Sequence, residues 1–170
     1  PKYAAAFNNL GLALMSLSFF DEAAQCFQEA IDLIPSNTEA LLNLAAIQFK
    51  TGDLDKCVIT LNRTIELNPN LAEIYFIKGN VFCNRRAYQD AVDQFYKVLE
   101  IDSSHFAALS NLSEVLLKCG KSAESLEVAE RAIAINPNEL RAPHNNRGAA
   151  LKELGRYGEA IVSYKKAIEI

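Results

Sequence analysis

The chain has 170 residues, of which 50% are apolar and 22% charged, and its formal net charge at neutral pH is −4. This balance is typical of globular proteins with an apolar core, and it disfavours general nucleic-acid binding, which needs a basic excess. No apolar run approaches the ~18 residues that a membrane span needs, and the N-terminus lacks the pattern of a signal peptide. We therefore expect an intracellular, cytoplasmic location and no membrane partner.

The prolines and glycines recur at a fixed interval. Pro1, Pro35, Pro69 and Pro137 are separated by 34, 34 and 68 residues, with Ser103 halfway along the longest gap. A period of this length is typical of arrays in which each unit covers its apolar face with the next unit. The sequence predicts a single array with five units at about 4–37, 38–71, 72–105, 106–140 and 141–170.

Each unit is predicted to contain two helices, because apolar residues such as Phe7, Leu10 and Leu14 recur at helical spacing. Polar residues that favour helix starts precede several of these segments, and glycines or prolines follow them. The start signals are Ser36, Asp53, Asn70 and Ser122. In chain order, the predicted helices are 4–17, 20–33, 37–51, 54–67, 71–84, 88–101, 105–118, 122–135, 142–154 and 157–170.

The last junction departs from the period by one residue. The segment 137–143 has one residue more than the other junctions and carries a second proline, Pro143. Proline is tolerated in the first turn of a helix and not in its interior. We therefore expect the first helix of the fifth unit to start near Ala142, with the extra residue absorbed in a loop at 139–141.

The residue pattern resembles the tetratricopeptide repeat (TPR), which has the same period. In the first unit the pattern reads Phe7-x2-Leu10-Gly11-x2-Leu14, then Ala23-x3-Phe27-x2-Ala30 and Pro35. The resemblance implies an all-α fold, an alpha-alpha superhelix with a right-handed TPR solenoid of about five repeats and ten helices. Since a natural stack ends in a polar capping helix, the apolar last unit and the initial Pro1 indicate a fragment of a longer chain. Exposed array ends would also permit self-association.

Catalytic and metal-binding patterns are not evident. The four cysteines, Cys26, Cys57, Cys83 and Cys119, form no paired motif, and we expect reduced thiols in mostly packed positions. The two histidines are expected to pack between helices, and no nucleophile elbow or phosphate-binding glycine loop is present. We therefore expect no enzyme activity in this segment, no catalytic or metal residue, and no cofactor.

The main candidate binding feature is an asparagine ladder, a name we give to Asn9, Asn43, Asn111 and Asn146. Each lies two residues before the small residue of its repeat, and Ile77 is the exception in the third repeat. The family resemblance implies that this position faces a concave groove. A side-chain amide both donates and accepts, so the ladder can pair with the main chain of an extended peptide, or its members can instead be solvated or bond to a neighbouring helix.

Further residues are expected to line the same groove. The apolar ones form either a side-chain pocket or part of the core. The predicted peptide-binding groove thus comprises Asn8, Asn9, Asn43, Asn111, Asn145, Asn146, Leu42, Phe49, Phe76, Ile77 and Asn80.

Four functional hypotheses can be compared for a protein with this resemblance. The first hypothesis is a protein-protein interaction scaffold that binds a protein or peptide. The second is the substrate-recognition TPR arm of a larger enzyme, similar to the arm of O-GlcNAc transferases. The chaperone-type carboxylate clamp is disfavoured because Glu73 would repel the partner's anion and the expected cations are missing. Binding of single-stranded RNA is disfavoured because the groove lacks a basic track.

Overall fold

The computed structural model describes residues 2–136 and 141–170, and this part of the chain is all-α, with no strand. Its helices are α1 (Lys2–Ser16), α2 (Phe20–Leu33), α3 (Thr38–Thr51), α4 (Leu54–Leu67), α5 (Ala72–Asn84), α6 (Tyr88–Ile101), α7 (Phe106–Lys118), α8 (Ser122–Ile135), α9 (Arg141–Glu153) and α10 (Tyr157–Glu169). No predicted helix end differs from these bounds by more than two residues. The predicted all-α repeat fold is confirmed. No helix in the described ranges is long and apolar enough to cross a membrane.

The chain divides into two compact units, which we call the N-terminal unit (Pro1–Val81) and the C-terminal unit (Phe82–Ile170). The division falls within α5. Buried side chains of α2 and α3, together with half-buried ones of α1, form one core of the N-terminal unit. A second core in the same unit is built from α3, α4 and α5. In the C-terminal unit, α8, α9 and α10 share a buried cluster.

A residue with left-handed backbone ends the turn between the two helices of each repeat. Three of these residues are glycines, Gly52, Gly120 and Gly155, with φ between 74° and 84°. The equivalent residues in the first and third repeats are Ser18 and Arg86, with φ of 65° and 59°. The repeat geometry therefore imposes the conformation even where a side chain makes it costly.

Close helix contact within a repeat depends on small residues. Gly11 lies against the Phe27 ring, so that an added Cβ would be only 2.6 Å from Cε1 of that ring. In the second repeat the Cys57 thiol donates to the Ala45 carbonyl at 3.3 Å. The Ser125 hydroxyl makes the equivalent bond to the Ser113 carbonyl at 2.7 Å. Cys57 and Ser125, which stand at the small position of the second helices, thus have hydrogen-bond partners on the first helix of the same repeat.

Helix starts are the part of the fold that the sequence predicted least well. Asp53 caps α4 as predicted, accepting from the amide of Lys56. Asn37, and not Ser36, caps α3, because its Oδ1 accepts from the Ala40 amide at 3.2 Å. Ser122 is the first residue of α8 and not its cap, and α5 begins at Ala72, two residues after Asn70.

The fifth repeat begins at the place where the period slips. Helix α9 starts at Arg141, one residue before the predicted start, and the buried Pro143 lies in its first turn. The predicted loop at 139–141 is wrong for Arg141, which is helical, and residues 137–140 lie outside the described part of the chain.

Candidate functional site: the asparagine-bearing helices

The asparagine ladder lies on the first helix of four repeats, but its members differ in exposure. Asn9 on α1 is exposed, whereas Asn43 on α3 and Asn111 on α7 are half-buried. Asn146 on α9 is buried, with 6% of its surface exposed. The four amides are therefore not equally available to a ligand.

In the N-terminal unit a hydrogen-bonded chain joins α1 to α3. The Asn43 Nδ2 donates to Asn8 Oδ1 at 3.0 Å, and the Asn8 Nδ2 donates to Glu39 Oε1 at 2.9 Å. Asn8 is 3% exposed, so its amide is almost entirely taken up by these two bonds. Glu39 is exposed and lies at the outer end of the chain of bonds.

In the C-terminal unit Asn146 bonds to α7 in a similar way. Its Nδ2 donates to the Ser110 carbonyl at 3.1 Å and to Ser113 Oγ at 2.8 Å. The Ser113 hydroxyl in turn donates to the Ser110 carbonyl, which leaves its oxygen free to accept from Asn146. Asn146 thus holds two first helices together.

The interpretation in which ladder amides bond to a neighbouring helix therefore holds for Asn43 and Asn146. In both cases the partner lies on the first helix of the preceding repeat. This does not exclude contact with a ligand, because each bond uses the Nδ2 end of the amide and not its oxygen. The sequence did not predict these hydrogen-bond partners, although Asn8 and Ser110 occupy equivalent repeat positions.

The predicted apolar groove residues differ in burial. Ile77 is 6% exposed and belongs to the core of the N-terminal unit. Leu42 and Phe49 are half-buried and pack against that same core. Phe76 and Asn80 are half-buried, and Asn145 is exposed. Ile77 is part of the buried apolar core against which Leu42 packs, and an amide at position 77 would have to be buried there.

Two lysines on the first helices are engaged by other side chains. The Lys50 ammonium lies 4.5 Å from the centre of the Phe20 ring. Lys118 pairs with Glu114 at 2.8 Å, and this hydrogen-bonded contact raises the pKa of the lysine. Each of these lysines therefore has an intramolecular partner.

Two further groups that could carry chemistry are the side chains of His105 and Cys83. The His105 Nδ1 accepts from the Ala108 amide at 3.2 Å, so this histidine caps α7, in contrast to the predicted packing role. Burial raises the pKa of the Cys83 thiol to about 11, which keeps it protonated at neutral pH. Within the described residues, no cluster of His, Cys, Asp or Glu has the makeup of a metal site.

Comparisons with known proteins agree with this architecture. Protein O-mannosyl-transferase Tmtc3 of Drosophila melanogaster is 32% identical over 127 residues, which is 72% of this chain and 14% of that protein. The DnaJ homolog subfamily C member 7 homolog of Schizosaccharomyces pombe is 24% identical over 88% of this chain and 35% of its own length. Stress-induced-phosphoprotein 1 of Caenorhabditis elegans is 28% identical over 98% of this chain and 51% of its own length. The chain thus spans between 14% and 51% of these three relatives.

Solved structures show the same fold. The crystal structure of MamA protein has a TM-score of 0.86 at 23% identity, covering 99% of this chain and 91% of that one. Pseudomonas aeruginosa pilF has a TM-score of 0.86 at 18% identity, covering 99% of this chain and 76% of that one. Three tetratricopeptide repeat models match residues 18–76, 106–139 and 142–170 of the sequence. The chain belongs to the tetratricopeptide repeat family.

Proposed function

We propose that this segment is a non-catalytic interaction scaffold, whose first helices bind an extended segment of a partner protein. The observation that carries the proposal is the recurrence of asparagine at one repeat position on α1, α3, α7 and α9. Asparagine is mildly unfavourable within a helix, so its recurrence requires a reason other than helix formation. Bonds to the preceding repeat supply that reason for Asn43 and Asn146, and ligand binding supplies it for the exposed Asn9.

The relatives support the broad class of this proposal. Their names include an anaphase-promoting complex subunit and a DnaJ homolog, both from Schizosaccharomyces pombe. Membership of a multi-subunit complex is consistent with a protein-binding role for the repeats. The absence of a carboxylate clamp stays a prediction, because it depends on the identity of the ligand.

Peptide selection tests the proposal. Peptides would be selected from a random library against this segment, and their affinity measured by fluorescence anisotropy. A net hydrogen bond contributes about 0.5–1.5 kcal/mol, so loss of two ladder bonds in Asn43→Ala/Asn111→Ala should weaken binding about 5- to 150-fold. Because ordering the peptide opposes these gains, we expect micromolar affinity for the wild type, with weak dependence on salt.

The matched control is Gln25→Ala/Gln89→Ala, which removes two exposed amides from the second helices α2 and α6. Circular dichroism must show that both double variants remain folded. If the control loses as much affinity as the ladder variant, the asparagine ladder has no part in binding. If no peptide is selected, the peptide-binding scaffold itself is refuted.

A second candidate is that the repeats serve as the substrate-recognition arm of a larger enzyme. It is favoured by the 32% identity over 127 residues to a protein named as a protein O-mannosyl-transferase. In that case the full-length protein would transfer mannose to protein acceptors, detectable by mass spectrometry. Asn43→Ala/Asn111→Ala would then raise the KM for those acceptors and leave kcat unchanged. If the full-length protein transfers no mannose, the enzyme-arm hypothesis is refuted and only the scaffold hypothesis remains.

A further inference from the structure

The orientation of the Asn8 amide is fixed by chemistry. Its bond to Glu39 joins it to a carboxylate, and an ionised carboxylate can only accept hydrogen bonds. The nitrogen of Asn8 must therefore face Glu39, and its oxygen must face the other way. With only 3% of Asn8 exposed, the reversed orientation would place its oxygen against the Glu39 carboxylate and leave a buried acceptor without a donor.

This orientation determines that of Asn43. Since Asn8 presents its oxygen, Asn43 must donate its Nδ2 across the 3.0 Å contact. The oxygen and nitrogen of an amide occupy separate branches, so this bond engages Asn43 Nδ2 and does not use Asn43 Oδ1. The half-buried Asn43 therefore retains its Oδ1 as an acceptor for a ligand, while its Nδ2 donates to Asn8.

Glu39 adds a second acceptor to the same cluster. It is exposed, and no Lys, Arg or His among the described residues pairs with it. The lysine of the same helix, Lys50, lies instead over the Phe20 ring. Asn8 donates to one carboxylate oxygen, Oε1, and the exposed residue retains Oε2 as an acceptor.

We propose that Asn8, Glu39 and Asn43 form an acceptor subsite that binds a Lys or Arg side chain of the partner segment. The carboxylate of Glu39 receives the charged donor, and Asn43 Oδ1 receives a further N–H from the same side chain or from the adjacent main chain. Asn8 is a positioning residue that orients both acceptors. This inference rests on the proposed peptide-binding function and specifies that the extended partner is basic at this point.

The chemistry of the subsite favours a cationic side chain over an anionic group. An ammonium or guanidinium group carries several N–H donors and no acceptor, which matches two acceptors on residues one helical turn apart on α3. A carboxylate or a phosphate would meet the Glu39 charge without a compensating cation. One exposed pair gives only modest salt dependence, in keeping with the weak dependence expected for the whole groove.

The test is a double-mutant cycle between the protein and a selected peptide. The protein variant is Glu39→Gln, which removes the charge but keeps an oxygen that accepts from Asn8. The probe is a peptide selected against the wild type, together with an analogue in which its lysine is replaced by norleucine, or its arginine by citrulline. We expect Glu39→Gln to weaken the basic peptide about five- to tenfold and to leave the neutral analogue unchanged. The matched control, Glu29→Gln on α2, should affect neither peptide.

The outcomes distinguish this inference from the function on which it rests. If selected peptides bind but show no enrichment of Lys or Arg, the acceptor subsite is refuted and the scaffold survives. The same conclusion follows if Glu39→Gln weakens the basic peptide and the neutral analogue equally. If no peptide binds the wild type, the proposed function fails and the subsite fails with it. Unfolding in urea checks that both variants remain folded, and a small loss of stability is expected for Glu39→Gln alone, because Glu39 lies in the first turn of α3, where a negative charge is favourable.

Discussion

The contact between Gly11 and Phe27 predicts a large effect from one added methyl group. In Gly11→Ala the new Cβ would lie 2.6 Å from Cε1 and 2.9 Å from Cδ1 of the Phe27 ring. Carbon atoms prefer separations of about 3.5–4.0 Å, so the ring would have to move by roughly 1 Å. The ring is fully buried between α1, α2 and α3, and it has little space for this movement.

The magnitude follows from two opposing effects. Overpacking of a close-packed core costs about 1–3 kcal/mol. Replacement of glycine by alanine within a helix contributes up to about 1 kcal/mol in the other direction. We therefore expect Gly11→Ala to lower the free energy of unfolding by about 1–2 kcal/mol, measured by urea denaturation followed by circular dichroism.

Two other glycines provide graded controls. Gly148 meets Tyr164 at 2.7 Å, but that ring is only half-buried and can move outward, so Gly148→Ala should cost less. Gly158 is exposed in α10 with no atom within 4 Å of an added Cβ, so Gly158→Ala should increase stability. If Gly11→Ala is as stable as the wild type, or if the order of the three variants is reversed, the packing argument is refuted.

Two further predictions concern the turns and the thiols. Arg86→Gly should be neutral or stabilising by up to about 1 kcal/mol, because it relieves a left-handed arginine, whereas Gly120→Ala should destabilise by about 1–2 kcal/mol in urea unfolding. The Cys83 pKa of about 11, raised by burial above the usual 9.0, means that alkylation of this thiol by iodoacetamide should remain slow at pH 8. Its contribution to stability should be fully present below pH 9 and decline towards pH 11, which thermal unfolding across that range would detect.

The helices and their packing could be predicted because each repeat supplies the same signals. Within the sequence, residues 16 apart vary together: Gly11 precedes Phe27, and Gly148 precedes Tyr164, so an aromatic ring follows a residue without a side chain. Where the first member carries a Cβ, as at Ala45, the second is smaller than an aromatic residue. The structure shows the reason, because the ring occupies the space that the Cβ would fill. The repeat pattern therefore carries information on packing volume as well as on helix position.

Local backbone choices were harder to predict, because several side chains could perform the same role. Ser36 and Asn37 both favour a helix start, and only the backbone path decides that Asn37 accepts from the Ala40 amide. His105 does not belong to the usual capping residues, yet its Nδ1 serves that role at α7. The left-handed Arg86 has no glycine to mark it, and its position is evident only by alignment with Gly52 and Gly120.

The helices that carry the asparagine ladder were predictable from the sequence, but the hydrogen bonds of its members were not, for a reason that the repeat register makes clear. Asn43 meets the residue 35 positions before it, Asn8. Asn146 meets the residue 36 before it, Ser110, because the junction before the last repeat contains one extra residue. Applied to Ile77, the 35-residue register gives Leu42, and both side chains contribute to the same apolar core. In the first two pairs a polar residue of one repeat accompanies asparagine in the next, and in the third the apolar Leu42 accompanies Ile77. The same register places Phe76 before Asn111, so the polar pairing does not extend to every member of the ladder. The break in the ladder is therefore a change of pairing type at an interface between repeats, and a ligand that follows the first helices would meet an acceptor at Asn43 and an apolar surface beside Leu42.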